Sequence, residues 1–517
     1  MIVGDWIARR AMLTPDKLAL IDTTRNDATI TYREWNLSVN QTANFLLKGF
    51  NIQKGDRVAV LAMNSIEYLD IWFALGKIGG ILQNLNWRLT PHELADLIED
   101  ANPKLLLYDH TFISTINEIK HLIPNLKRFV SLSENEHSDD LKFSERLNYS
   151  HTSPPVVELN WNDPWVICYT GGTTGTPKGA ILTHRSITAN AVNTVTSWGL
   201  TPDDVTILNS PLFHTGGLNV FTAPLVYIGG TSIICREFDI DQTFDLLTGG
   251  EVTIWFGVPT MFIMMQNHPK WEDADFGHLK LLISGGAPCP MPIFEKFWDK
   301  GVDFKTGYGL TEAGPNTFWL PPEDVHRKPG SVGFPLFHID LRILREDDTD
   351  CDIDEVGELV IRGPHLCDGY WERPEESAES IRPLRTDLHG PEWLFTGDLA
   401  RCDQEGYYYI VGRSKDMFIS GGENVYPAEI ESLLHAHPDV LEAAVIAVPH
   451  PKWGEVGRAI INRKCASALS EVELIEYLKD RLASYKVPKS VIFTEQLPKT
   501  GANKVDKKTL LEMFGNP

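Results

Sequence analysis

No CxxC pair occurs among the seven cysteines, which stand at 168, 235, 289, 351, 367, 402 and 465. An odd, scattered set of thiols supports neither a disulfide framework nor a cysteine-rich zinc site, and it suits a reducing compartment. Basic charge is scarce as well: 47 Lys and Arg stand against 70 Asp and Glu, a formal net charge of −23. Nucleic acid and anionic membrane surfaces demand a basic face, so neither is an expected partner, and any anionic ligand has to be held locally. Long apolar runs are missing too. The longest, roughly 220–235, is broken by Pro224 and Gly229-Gly230, is too short to span a bilayer and reads as buried core. The opening residues, MIVGDWIARRAMLTPDK, lack the apolar stretch of a signal peptide, and the closing Gly515-Asn516-Pro517 is no peroxisomal address. Cytoplasm is the default expectation.

What is present describes an ordinary globular chain, 43% hydrophobic and 23% charged, without repeats or low-complexity segments. At 517 residues it exceeds what one core usually serves, so at least two domains are expected. Strand-like runs alternate with helix-like ones, as where Arg57-Val-Ala-Val-Leu61 precedes the patterned segment 66–76, which argues for α/β layering with parallel or mixed sheets. Around Gly357 to Gly412 the texture becomes short β pieces separated by Gly, Pro and Asp, a small β subdomain. Beyond Arg413-Ser-Lys-Asp416 a compact tail alternates strand and helix. Its helix starts are marked by Pro427 and by the capping box Ser470-x-x-Glu473. The expected division is 1–412, a hinge at 413–416, and a small mobile α+β domain at 417–517.

The sharpest feature is Tyr169-Thr-Gly-Gly-Thr-Thr-Gly-Thr-Pro-Lys-Gly179, directly after the strand-like Trp165-Val-Ile-Cys168. Backbone N–H groups of Gly171, Gly172 and Gly175, hydroxyls of Thr170, Thr173 and Thr174, and the cation of Lys178 suit a polyphosphate cradle. It is not a Walker A loop, because Pro177 stands where that motif requires Gly before Lys. The segment resembles the signature loop of the adenylate-forming superfamily, which includes acyl- and aryl-CoA synthetases of the fatty-acid, 4-coumarate and 4-chlorobenzoate type. Pro211-Leu-Phe-His214, Ser284-Gly-Gly-Ala-Pro288, Gly307-Tyr-Gly-Leu-Thr-Glu312, Thr396-Gly-Asp398, Gly412-Arg-Ser-Lys-Asp416 and Pro498-Lys-Thr-Gly-Ala-Asn-Lys504 follow in the family's order. Seven motifs in sequence exclude chance.

The resemblance implies an ATP-dependent carboxylic acid:CoA ligase that forms acyl-AMP and pyrophosphate and then passes the acyl group to the thiol of coenzyme A. Joining a carboxylate to the α-phosphate brings two anions together, and Lys504 is the implied bridging cation, with Glu312, Thr311 and His214 in the catalytic group. Glu312 and Thr170 are the implied Mg²⁺ ligands, one or two protein oxygens being enough for that ion. Gly286, Ala287, Pro288, Gly307, Tyr308 and Gly309 are expected around AMP, with the Tyr308 ring against adenine and Asp398 and Arg413 at the ribose. Phe213, Thr215, Phe256, Val258, Gly285 and Leu310 are expected to line the acyl pocket. Rotation about Lys415 would bring Ser420, Gly421, Gly422 and Glu423 to the acyl-AMP. Arg88 and Trp453 match positions that contact CoA in some aryl-CoA ligases.

Two positions depart from the family pattern. Asn503 stands where Gly usually precedes the catalytic Lys, a change its tolerance of left-handed backbone angles accommodates, and Gly171 replaces a frequent Ser. Of the alternatives, an amino-acid-adenylating enzyme would place an Asp after the aromatic motif to hold an ammonium, whereas Thr215-Gly-Gly217 follows His214, and no carrier domain follows residue 517. A carrier-loading aryl-acid enzyme and a luciferase-like monooxygenase share the first step and stay open. A non-catalytic binder on this fold would be expected to lose Lys504 or Glu312, and both are present. Apart from Glu312, assigned to the metal, the pocket segments carry no acid for an ammonium and no Arg or Lys for a second carboxylate, so a medium- to long-chain fatty acid or an aryl acid is expected. The oligomeric state stays open, a homodimer included.

Overall fold

The computed structural model describes residues 3–25, 27–134, 139–170, 177–420, 422–465, 467–500 and 504–515. Its frame is a pair of seven-stranded sheets. The first runs, edge to edge, through Leu141–Lys142, Phe129–Ser131, Leu105–Tyr108, Arg57–Leu61, Ile81–Asn84, Pro164–Thr170 and Lys178–Thr183, all parallel except for the last, antiparallel pair. The second runs through Lys305–Thr306, Leu281–Ser284, Ile254–Gly257, Val205–Leu208, Thr231–Ile234, Leu18–Asp22 and Ala28–Thr31, again parallel up to its last pair. Strands such as Leu105–Tyr108 and Leu281–Ser284 are buried along their whole length, as a parallel sheet covered on both faces requires.

The helix Ile66–Ile78 shows how sequence and packing meet. The Ser65 hydroxyl accepts from Tyr68 N–H at its start, and Gly79, at φ 74°, ends it in the left-handed conformation. All thirteen of its residues are buried, including three charged ones. Each has partners: Lys77 Nζ lies 2.9 Å from Asp5, Glu67 meets Arg25, and Asp70 accepts from Trp35 Nε1 at 3.0 Å, Ser38 Oγ at 2.6 Å and Arg146 at 3.0 Å. Even so, burial pushes the Asp70 carboxyl up to about 6 against the pull of Arg146.

A third, antiparallel sheet joins Asp340–Leu344, Gly357–Arg362, Trp393–Cys402, Ile381–Arg382 and Tyr408–Arg413. It starts earlier in the chain than the Gly357–Gly412 stretch, at Asp340–Leu344, which pairs antiparallel with Gly357–Arg362 and carries the apolar–polar alternation Ile339-Asp-Leu-Arg-Ile343 of a strand. From Phe418 a further sheet, Phe418–Ser420, Glu423–Val425, Val440–His450, Gly454–Arg463 and Ser490–Phe493, is flanked by helices Pro427–His435, Glu471–Lys479 and Lys507–Phe514. Pro427 opens its helix, and both halves of the Ser470/Glu473 capping box are formed. Among the described residues no helix is long and apolar enough to cross a membrane.

Candidate active site

In parallel sheets ligands bind beyond the carboxyl ends of the strands, and those ends deliver the motifs here. Val205–Leu208 leads to His214, Ile254–Gly257 to Val258, Leu281–Ser284 to Gly285, and Lys305–Thr306 to Tyr308, while Pro164–Thr170 of the first sheet leads to the cradle. Gly171, Gly172, Thr173, Thr174 and Gly175 of that cradle, with Gly421 and Asn503, lie outside the described residues. Thr170 and Lys178, which flank the cradle, face each other as paired residues at the end of the antiparallel ladder.

Glu312 sits buried in a single helical turn, Thr311–Ala313, that Gly314 ends at φ 59°. The turn folds back tightly: a Cβ at Gly309 would lie 1.7 Å from the Pro315 carbonyl oxygen, so only glycine fits. Thr170 Oγ1 lies 3.3 Å from Glu312 Oε1, and the Tyr370 hydroxyl donates to the same oxygen at 3.0 Å. Among the described residues Oε2 receives no hydrogen bond, and no cluster of three His, Cys, Asp or Glu could hold a metal by itself. A carboxylate oxygen with no described partner, next to the Thr170 hydroxyl, fits Mg²⁺, which needs only one or two protein oxygens and fills the rest of its shell with water and substrate oxygens. Beneath Thr311 lies the Cys168 thiol, whose pKa burial raises to about 12, so it stays protonated.

Further round the site, Asp398 holds two partners: the Tyr308 hydroxyl donates to Oδ2 at 2.6 Å, and Arg413 Nε lies 2.9 Å from Oδ1. Asp398 and Arg413 are paired across neighbouring antiparallel strands, which fixes their approach. Burial above all, and then the Asp398 charge, hold the Tyr308 pKa far above that of a free phenol, so it remains a donor. Gly286 (φ 81°), Ala287 and Pro288 follow the strand Leu281–Ser284, and Gly307 follows Lys305–Thr306.

His214 is half-buried, and its Nε2 has no hydrogen-bond partner among the described residues. Burial first, then the nearby cations of Lys504 and Arg88, push its pKa down to about 4, so the ring is neutral near pH 7. Lys504 is exposed as a residue, yet protein atoms crowd its ammonium. That crowding lowers its pKa, Arg413 acts the same way, and Asp398 and Glu312 oppose. The C-terminal sheet and helices therefore carry Lys504 into the field of Glu312, Asp398 and His214 in this conformation.

Lys415 lies exposed in the turn Ser414–Asp416 between the third and C-terminal sheets, where Lys507 stands 3.9 Å from Asp416. Arg88 stacks over Trp87 at 4.3 Å and lies 5.5 Å from the Phe213 ring, so it borders His214's neighbour. It opens onto a 210 Å³ cavity lined in part by Trp87, Arg236, Glu237, Met261 and Met264. Ser420 pairs instead with Glu423 and Gly454, next to the exposed Trp453, at one end of the C-terminal sheet. The structure thus groups Ser420, Glu423 and Trp453 with one another.

Phe213 and Thr215 are buried, and Phe256, Val258 and Leu310 are half-buried. The Phe256 ring has a glycine at each edge: an added Cβ would come 3.0 Å from its Cε2 at Gly285 and 3.3 Å from its Cε1 at Gly216. One contributor is not legible in the sequence: Tyr370, beside Trp371, carries no spacing signal that separates it from any other surface aromatic.

The family model described as AMP-binding enzyme matches residues 7–371, and the AMP-binding enzyme C-terminal domain matches residues 429–504. Feruloyl-CoA synthase of Amycolatopsis sp is 38% identical over 99% of both chains. Indoleacetate–CoA ligase of Aromatoleum aromaticum is 34% identical over 99% of this chain and 98% of its own. Among solved structures, ATP-bound MatB from Rhodopseudomonas palustris superposes with a TM-score of 0.88 at 32% identity, with 99% of each chain covered.

Proposed function

Since the chain belongs to the AMP-binding enzyme family and is an AMP-forming acid–thiol ligase using ATP, Mg²⁺ and CoA, we propose that its acid is an aryl acid of the cinnamate or arylacetate type. The observation that carries this reading is the Phe256 ring laid between Gly216 and Gly285. Glycine at both positions lets the two ring edges pack where β-carbons would stand, and in this reading the half-buried ring forms one wall of a flat slot that an aromatic ring fills by offset or edge-to-face contact. The surrounding Phe213, Val258 and Leu310 offer no charge to an ammonium or a second carboxylate. Feruloyl-CoA synthase and indoleacetate–CoA ligase, both named for acids that carry an aromatic ring, support the choice.

In this reading Lys504 bridges the acid carboxylate and the α-phosphate, and neutral His214 borders the acyl group without adding charge. Glu312 and Thr170 hold Mg²⁺, which neutralises phosphate charge. Asp398, held by Tyr308 and Arg413, takes the ribose hydroxyls, and Lys178 with residues 170–175 takes the phosphates. Thioester formation follows a rotation about Lys415 that withdraws Lys504 and brings up the Ser420–Glu423 segment, with Arg88 and Trp453 at the CoA. The division at 413–416 and a cytoplasmic location belong to the same reading.

Pyrophosphate release against ferulate, 4-coumarate, benzoate, indoleacetate, octanoate, palmitate and phenylalanine, with and without CoA, tests it. The aryl-propenoic and arylacetic acids should give the highest kcat/KM. A clear preference for palmitate or phenylalanine would overturn the assignment.

A further inference from the structure

Tyr370 has no task in the reaction as described so far, yet its backbone is held from both sides. The segment 368–371 runs along the free edge of the strand Lys178–Thr183. Asp368 N–H donates to Ile181 O at 3.0 Å, Ile181 N–H to Gly369 O at 3.0 Å, and Trp371 N–H to Gly179 O at 2.8 Å, which sets Tyr370 opposite Ala180. Upstream, Cys367 N–H donates to the Glu312 carbonyl at 2.8 Å, and Tyr370 N–H itself donates to Ser377 Oγ at 2.8 Å. This fixed backbone aims the phenol across the site. The hydroxyl reaches Glu312 Oε1 at 3.0 Å, and the ring lies under Lys178 Nζ at 5.2 Å from its centroid.

Two donors, Tyr370 and Thr170, converge on one oxygen of Glu312 and leave the other oxygen without a partner among the described residues. Hydrogen bonds to one oxygen hinder the carboxylate's rotation, so its second oxygen is aimed before the metal arrives. Mg²⁺ demands near-ideal octahedral geometry, and partners that orient a ligand account for much of a site's affinity. The cation–π contact also sets the cradle lysine and the metal carboxylate on one side chain, so the two phosphate-binding charges share a support.

We propose that Tyr370 is a positioning residue that orients Glu312 for Mg²⁺ and links it to Lys178, an inference that rests on the ligase reading of this site. Tyr370→Phe removes only the hydroxyl and keeps the ring under Lys178. Mn²⁺ serves as the probe: free Mn²⁺ is counted by electron paramagnetic resonance in the presence of α,β-methylene-ATP, without turnover. Loss of an orienting partner should raise the Mn²⁺ dissociation constant ~10-fold or more, with metal-free binding of the analogue unchanged. The Mg²⁺ concentration for half-maximal acid-dependent ATP–pyrophosphate exchange should rise by a similar factor, and thioester formation from supplied acyl-AMP should keep its wild-type rate. Tyr370→Leu, which also strips the ring from Lys178, should in addition weaken metal-free binding of the analogue. An unchanged metal midpoint in Tyr370→Phe would overturn the proposal, as would equal loss in both half-reactions. If the wild-type chain exchanged no pyrophosphate with any acid, the ligase reading would fall, and the Mn²⁺ titration would still decide the role of Tyr370.

Discussion

Placing one methyl group at Gly285 tests the slot directly. In Gly285→Ala the new Cβ would stand 3.0 Å from Phe256 Cε2 and 3.6 Å from the Gly307 carbonyl oxygen. Carbon atoms prefer ~3.5–4.0 Å, so the ring has to retreat by roughly half an ångström or more. Its retreat is limited, because its other edge already lies where a Cβ on Gly216 would be only 3.3 Å away. Forcing an extra methyl into a packed site costs ~1–3 kcal/mol, and that strain appears when an acid also needs the space. Converted at 1.4 kcal/mol per factor of ten, kcat/KM for ferulate should fall ~5- to ~150-fold. Acetate, which leaves the slot empty, should lose little, and KM for MgATP should hold. Phe256→Leu in the same chain makes room for the methyl, so the double variant should recover ferulate activity, a coupling between contacting residues that a double-mutant cycle measures. Steady-state pyrophosphate release gives all four corners of the cycle. An equal loss for acetate and ferulate, or no recovery in the double variant, would refute the slot.

Lys504→Ala should reduce acyl-AMP formation by at least the ~10²–10³ of one oriented electrostatic donor while leaving thioester formation from supplied acyl-AMP intact; single-turnover assays of each half-reaction compare the two. Lys415→Pro should hold the hinge near a φ of about −65° and so favour the orientation seen here, in which Lys504 lies at the site; thioester formation should then suffer far more than adenylation, and equal rates would remove Lys415 as the pivot. Burial pushes His184, His214 and His365 down to about 4, about 4 and about 3 and pushes Asp70 up to about 6. The histidine contributions are complete above the unfolded value near 6.5 and are lost as pH falls toward 4, whereas the Asp70 contribution is complete below about 3.9 and is lost as pH rises through 6. At pH 5 the unfolded chain therefore binds about two more protons than the folded one, and calorimetry should show the melting temperature falling between pH 6.5 and 5. A flat profile there would contradict the burial of these rings.

Local chemistry was legible in the sequence because it depends on neighbours in the chain. Arg57–Leu61 reads as a strand from its β-branched run, Pro427 opens a helix because its fixed φ suits a first turn, and Ser470 with Glu473 caps one because the partners lie three residues apart. Gly309 was likewise part of a readable motif, and the structure supplies the reason in the tight return of the chain at Pro315. The order of the motifs was enough to indicate the class of reaction. What only the tertiary structure decided is which side chains meet across long stretches of chain. Tyr370 reaches Glu312 because three backbone hydrogen bonds lay its segment along an edge strand that was formed almost two hundred residues earlier. Phe256 faces Gly216 and Gly285 because three strand ends open into one crevice. Spacing encodes turns and periods, which act over a few residues. Contacts between sheets follow from burying apolar faces together, and that sum over the whole chain leaves no mark at any single position.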